Sequence, residues 1–179
     1  MSQELAGKKI AILVADGFEQ VELTKPKQAF EEAGATTEIV SPNRDKVQGS
    51  NHFDKADFFS VDTSLEQAKA NDYDALLLPG DVANPDQLRT NDKAVQFVKS
   101  FFDVKKPVAA ICHALWTLID AEVVEGRTLT SRSSLQTDLK NAGANWVDRE
   151  VVEDNGLVSS RNPGDLPAFN AKAVELFSK

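Results

Sequence analysis

Three short runs of apolar residues constrain this chain more than any other feature: Ile10-Ala-Ile-Leu-Val-Ala15, Ala75-Leu-Leu-Leu78 and Pro107-Val-Ala-Ala-Ile111. None alternates with polar residues, so each reads as a strand covered on both faces, as in a parallel sheet. A turn and a helical pattern follow each of them. Between the first two lie a helix ending near Ala33-Gly34, a strand around Thr37–Val40, and a stretch from Val47 to Val61 suited to a hairpin or edge strands. From Asp92 to Phe102, apolar residues at Ala94, Val95, Phe97, Val98, Phe101 and Phe102 give the stripe of a helix packed on a sheet. Another helix fits Ser133–Ala142, stopped by Gly143, and a last one fits Asp165–Phe177. Asp154-Asn155-Gly156 suits a tight hairpin turn with positive φ. The alternation predicts an α/β chain, a flavodoxin-like three-layer sandwich with a mostly parallel central sheet.

No repeat, low-complexity tract or linker divides the 179 residues, so one domain is expected over 1–179. The start of the chain carries no apolar signal region and no run reaches the length of a membrane span, which predicts a soluble, cytoplasmic protein without a membrane partner. A single cysteine excludes an internal disulfide, and with only His52 and His113 beside it an ordinary Cys/His metal cage is not expected. The net charge of −8 argues against nucleic acid, and neither a glycine-rich dinucleotide fingerprint nor a P-loop is present, so no cofactor is expected.

Ligand sites in open parallel sheets gather outside the carboxyl ends of the strands. Three polar clusters take that position: Asp16-Gly-Phe-Glu19-Gln-Val-Glu22, Pro79-Gly80-Asp81 and Cys112-His113. Ala110 and Ala114 flank Cys112 with the small residues that a nucleophile elbow needs at that spacing. A helix starting at His113 or Ala114 would aim backbone N–H groups and its positive end at the sulfur, so an acidic thiol is expected. A cysteine ending a buried strand also suits plain packing, and the pattern alone leaves both readings open. Glu19 and Glu22 could complement a helix dipole, or Glu22 could be a protonated donor in a dry crevice. Gly80 could serve a turn or let backbone N–H groups approach an oxyanion. His52, in the polar stretch Gly49-Ser-Asn-His52, reads as solvated.

In one register, Asp16–Leu23, Leu78-Pro-Gly80, Ala109-Ala-Ile-Cys112-His113 and Val158-Ser-Ser-Arg161-Asn-Pro-Gly-Asp165-Leu resemble the PfpI-like superfamily: intracellular proteases, general stress proteins and parkinsonism-associated deglycase relatives. The resemblance implies a single PfpI-like, class I glutamine amidotransferase-like domain with Cys112 as nucleophile, Glu22 as its carboxyl partner and His113 as general base. It places an oxyanion site on the backbone of Gly80, Asp81 and His113. It also implies that an acid just after Leu-Pro-Gly, here Asp86, orients the histidine of a neighbouring subunit, and hence a homodimer or hexamer. Three departures stand out: Asp86 where glutamate is usual, Asp81 where glycine is usual, and Ala114-Leu115 in place of Gly-Pro. The implied activity is cofactor-independent stress-response hydrolysis by a deglycase or glyoxalase acting on methylglyoxal or glyoxal and their protein adducts. The alternatives are a peptidase and a non-enzymatic stress protein that responds through oxidation of Cys112.

Overall fold

The computed structural model of the chain describes residues 3–179, and Met1 and Ser2 of the expected 1–179 unit lie outside them. Strand β1 (Lys9–Leu13) leads through the two-residue β2 (Phe18–Glu19) into helix α1 (Val21–Glu32). Next come β3 (Thr36–Ser41), β4 (Lys46–Asn51), β5 (Asp54–Ser60) and the short β6 (Thr63–Ser64). Strand β7 (Ala75–Leu78) is followed by α2 (Ala83–Arg89) and α3 (Asp92–Asp103). Strand β8 (Val108–Ile111) enters a 3-10 turn at Cys112–Ala114 and then α4 (Leu115–Asp120). The last third holds β9 (Thr128–Leu129), α5 (Gln136–Asn141), β10 (Asn145–Trp146), β11 (Val152–Asp154), β12 (Leu157–Ser160) and α6 (Leu166–Phe177).

The central sheet has the order β11-β12-β8-β7-β1-β3-β6. Its pairs are parallel except β11 with β12, the hairpin closed by Asn155 and Gly156 at φ +49° and +86°. Successive side chains of a strand point to opposite faces, and the core divides accordingly. Ile10, Ile12, Leu77, Ala109 and Ile111 meet Leu23 and Phe30 of α1 and Phe169, Ala173 and Phe177 of α6. Ala11, Leu13, Leu76, Leu78, Val108 and Ala110 meet the other layer: Leu88 of α2, Ala94, Phe97, Val98 and Phe101 of α3, Leu115 and Leu118 of α4, and Leu139 of α5. Each fully buried Phe or Leu on these faces contributes about 1.5–3 kcal/mol of transfer free energy. The chain is thus an α/β three-layer sandwich with a largely parallel sheet.

Helix α3 follows its expected bounds, and Asn91 caps it by accepting from the Ala94 N–H at 3.1 Å. The stretch expected as one helix from Ser133 begins instead as a 3-10 turn at Ser133–Leu135 and becomes α-helical only at Gln136. The Val47–Val61 stretch is an antiparallel hairpin, β4 with β5, which joins β2 in a separate three-stranded sheet. Helix α2 escapes a sequence reading because Asn84-Pro85 resembles a loop. Pro85 sits in the first turn, where its missing N–H leaves no helical bond unmade.

Candidate active site

Strands β8, β7 and β1 are neighbours in the sheet, so the residues after each strand share one edge. There Cys112, the first residue of the 3-10 turn after β8, takes φ +65°, with Ala110 and Ala114 buried on either side. A non-glycine residue in that region is held there by its surroundings. The α-helix begins at Leu115, two residues after the earlier of its expected starts, and only a 3-10 turn separates it from the sulfur. Cys112 Sγ lies 3.2 Å from Nδ1 of His113.

Glu22 projects from α1 and is fully buried. Its Oε1 accepts from the Gly80 N–H at 2.9 Å, and its Oε2 is buried without a partner. Burial, reinforced by the charges of Glu19 and Asp81, raises this carboxyl to about 8. At neutral pH Glu22 therefore carries a proton, and Oε2 is the oxygen free to hold it. Gly80 serves this packing by having no side chain: a Cβ there would lie 2.6 Å from the Ile111 carbonyl oxygen and 2.8 Å from both Cys112 Cβ and Glu22 Oε1. Its N–H donates to Glu22 in this structure. The backbone N–H groups of Asp81 and His113 are the two that act on the sulfur, both in the direction that favours thiolate.

Those two amides do not prevail. Cys112 is only 5% exposed, and burial together with the adjacent Glu22 pushes its thiol up to about 12. Burial thus works against the acidic cysteine expected, and a three-residue 3-10 turn offers little dipole to set against desolvation. His113 is shifted down by burial and by the positive charge of Arg132, which leaves a neutral ring able to accept a proton. Its Nε2 faces Ser134 Oγ at 3.4 Å, and Trp116 packs on the ring with centroids 5.1 Å apart. In the tautomer that leaves Nδ1 free to take the thiol proton, Nε2 carries the hydrogen and donates to Ser134.

Cys112, His113 and Glu22 open on a cavity of about 220 Å³ completed by Glu19, Asp81, Val82, Arg132, Pro163, His52 and Phe53. Among its lining residues Asp81 and His52 share the positive φ of Cys112, at +63° and +57°. Burial shifts the Glu19 carboxyl up, opposed by the His52 N–H that it accepts at 3.1 Å and reinforced by the neighbouring Asp81 carboxylate. The His52 ring is exposed, as expected, yet it stands on the rim of the cavity. Asp86 does not reach His113 within one protomer: it is exposed on α2 and lines an adjoining cavity of about 530 Å³, which shares His52, Phe53, Asp81 and Val82 with the first.

Two residues escape a sequence reading. Asn84 is fully buried, its Oδ1 accepting from the Ala15 N–H at 2.7 Å while its Nδ2 donates to the carbonyls of Pro79 and Gly80 at 2.9 and 3.2 Å. It fastens the end of β1 to the end of β7. Arg132 donates its backbone N–H to the Cys112 carbonyl oxygen at 3.2 Å and so stands beside the nucleophile. It follows β9, a strand of the separate two-stranded sheet with β10, so no position at the edge of the central sheet marked it in the sequence.

A search against family models matches residues 8–176 to the DJ-1/PfpI family. General stress protein 18 of Bacillus subtilis is 43% identical over 97% of this chain and 99% of its own length. A deglycase of Thermococcus kodakarensis is 43% identical over 94% of this chain and 98% of its own. Among solved structures, Drosophila melanogaster DJ-1beta superposes with a TM-score of 0.85 at 28% identity, covering 100% of this chain and 92% of that one. With the elbow cysteine, the buried glutamate and the glycine between them in place, the chain belongs to the DJ-1/PfpI family.

Proposed function

We propose that the protein is a cysteine-dependent, cofactor-independent hydrolase that acts on methylglyoxal or glyoxal and on the adducts they leave on protein side chains. The observation that carries this reading is the 3.2 Å approach of Cys112 Sγ to a neutral His113 at a strained elbow. Burial shifts the thiol up, so its proton is to leave as it attacks, and Nδ1 of His113 is the acceptor within reach. Sγ adds to the aldehyde carbon, and the new oxyanion takes the N–H groups of Asp81 and His113. Glu22, protonated at rest, supplies a further donor beside the sulfur. For methylglyoxal a proton then moves from the first carbon to the second, giving a thioester with no external oxidant. Water releases lactate and restores the thiol.

A cavity of about 220 Å³ suits a two- or three-carbon carbonyl compound, and the deglycase relative supports the same class. The adjoining cavity of about 530 Å³ favours a second reading, a peptidase, by offering room for a longer substrate. Oxidation sensing is less well supported, because sensor thiols are acidic and exposed. Among the described residues no helix is long and apolar enough to cross a membrane, and the lone thiol suits the reducing cytoplasm. The proposal includes a homo-oligomer in which Asp86, exposed on α2, serves the site of a neighbouring copy. Light scattering that showed only monomer at assay concentration would remove that part. The substrate class is tested with a methylglyoxal-modified peptide followed by mass spectrometry. Loss of the adduct with the chain intact is expected, whereas cleavage of the chain would turn the assignment to a peptidase.

A further inference from the structure

Arg132 is the feature of the cavity for which neither the fold nor the proposed reaction accounts. Among the described residues Arg44, Arg89 and Arg161 each meet a carboxylate and Arg127 is held on carbonyl oxygens, whereas Arg149 shares with Arg132 the lack of such a partner but does not line the cavity. The Arg132 guanidinium has no such partner, although the residue lines the same cavity as Cys112 and His113 and is tied to the nucleophile through its backbone. Its charge is felt by Cys112, by His113 and by Glu22, which places it within electrostatic reach of all three. The acids of the same cavity are Glu19, Glu22 and Asp81; Asp81 Oδ1 accepts from the Val82 N–H at 2.7 Å, and its Oδ2 is buried without a protein partner. A planar fork of donors without a carboxylate of its own, at the mouth of a cavity sized for a few heavy atoms, is suited to a carboxylate brought by a ligand.

We propose that Arg132 makes this a site for small carbonyl compounds that carry a carboxylate: the acid group rests on the guanidinium while the electrophilic carbon faces Cys112 Sγ. The same contact would hold the α-hydroxy acid that the reaction forms. The inference rests on the hydrolase reading for the carbonyl class but not for the anion, and its test does not depend on turnover.

The test exploits Cys112 as the lone thiol of the chain. Iodoacetate and iodoacetamide have nearly the same shape, and only the first carries a carboxylate. With each, the sulfur–carbon bond forms as the carbon–iodine bond breaks, iodide leaves and the thiol proton passes to His113 or water. Both reagents need the same thiolate, so the ratio of their rates cancels any change in the acidity of Cys112 and reports anion preference alone. In the folded protein the iodoacetate-to-iodoacetamide ratio is expected to fall about tenfold on Arg132→Gln, the scale of one charge-assisted hydrogen bond lost, and to fall in the parent as salt is raised. Arg132→Lys should lie between the two, and circular dichroism establishes that each variant is folded. A ratio unchanged within twofold, or a native Cys112 that neither reagent reaches, overturns the proposal. If methylglyoxal is not turned over while the ratio behaves as expected, the hydrolase reading fails and the anion site stands.

Discussion

A fully buried carboxyl group with one oxygen accepting from an amide and the other without a protein partner keeps its proton past neutrality, and Glu22 is in that position. The linkage has a definite sign. A carboxyl raised from 4.5 to about 8 on folding contributes stability that is fully present below pH 4.5 and is lost as pH rises through 8. Glu22→Gln removes the titration, so the parent should lose stability relative to the variant between pH 5 and pH 9, by on the order of a few kcal/mol, in urea unfolding. A difference that stays flat across that range would mean that Glu22 is ionised in the fold. Cys112, His113 and Glu22 were legible as candidates because each follows a readable strand, and position at the sheet edge is a property of sequence order. Their acidities were not, since the thiol's depends on whether two amides outweigh burial, and that balance is set by packing from distant segments.

Between the strands, the site is positioned by a side chain that performs no chemistry. Asn84 satisfies one backbone donor and two backbone acceptors at the ends of β1 and β7. Asn84→Ala would leave these groups unpaired in the interior and should cost on the order of 3 kcal/mol in urea unfolding. A loss below about 1 kcal/mol would mean that the two strand ends hold their places without it. Helix α3 announces itself by the periodicity of its apolar residues and α1 by the Ala33-Gly34 stop at its end. Helix α2 and the 3-10 turns at Cys112 and Ser133 do not, because runs of three to seven residues are too short for a stripe and are settled by what they pack against. The residues that a sequence reading misses, Asn84 and Arg132, lie in or beside such short elements.

At the scale of the molecule, the alternation of double-faced strands with amphipathic helices sets both the layered architecture and the place of the site. It orders β8, β7 and β1 side by side and so brings three separated polar clusters to one edge. Asp86 is the part of the expected site that this geometry leaves outside, since α2 carries it on the exposed surface beside an adjoining cavity. Across a subunit interface it would be useful; within one protomer Ser134 is the group that meets the far nitrogen of His113. The account depends most on Cys112 and His113 acting as nucleophile and base, and lactate release from methylglyoxal by the parent, Cys112→Ala and His113→Ala tests this most directly. The account predicts turnover by the parent, none by Cys112→Ala, and a loss of about 100-fold or more for His113→Ala, the scale of a general base removed. Lactate formation that survives in Cys112→Ala, or no turnover by a folded parent, would contradict it.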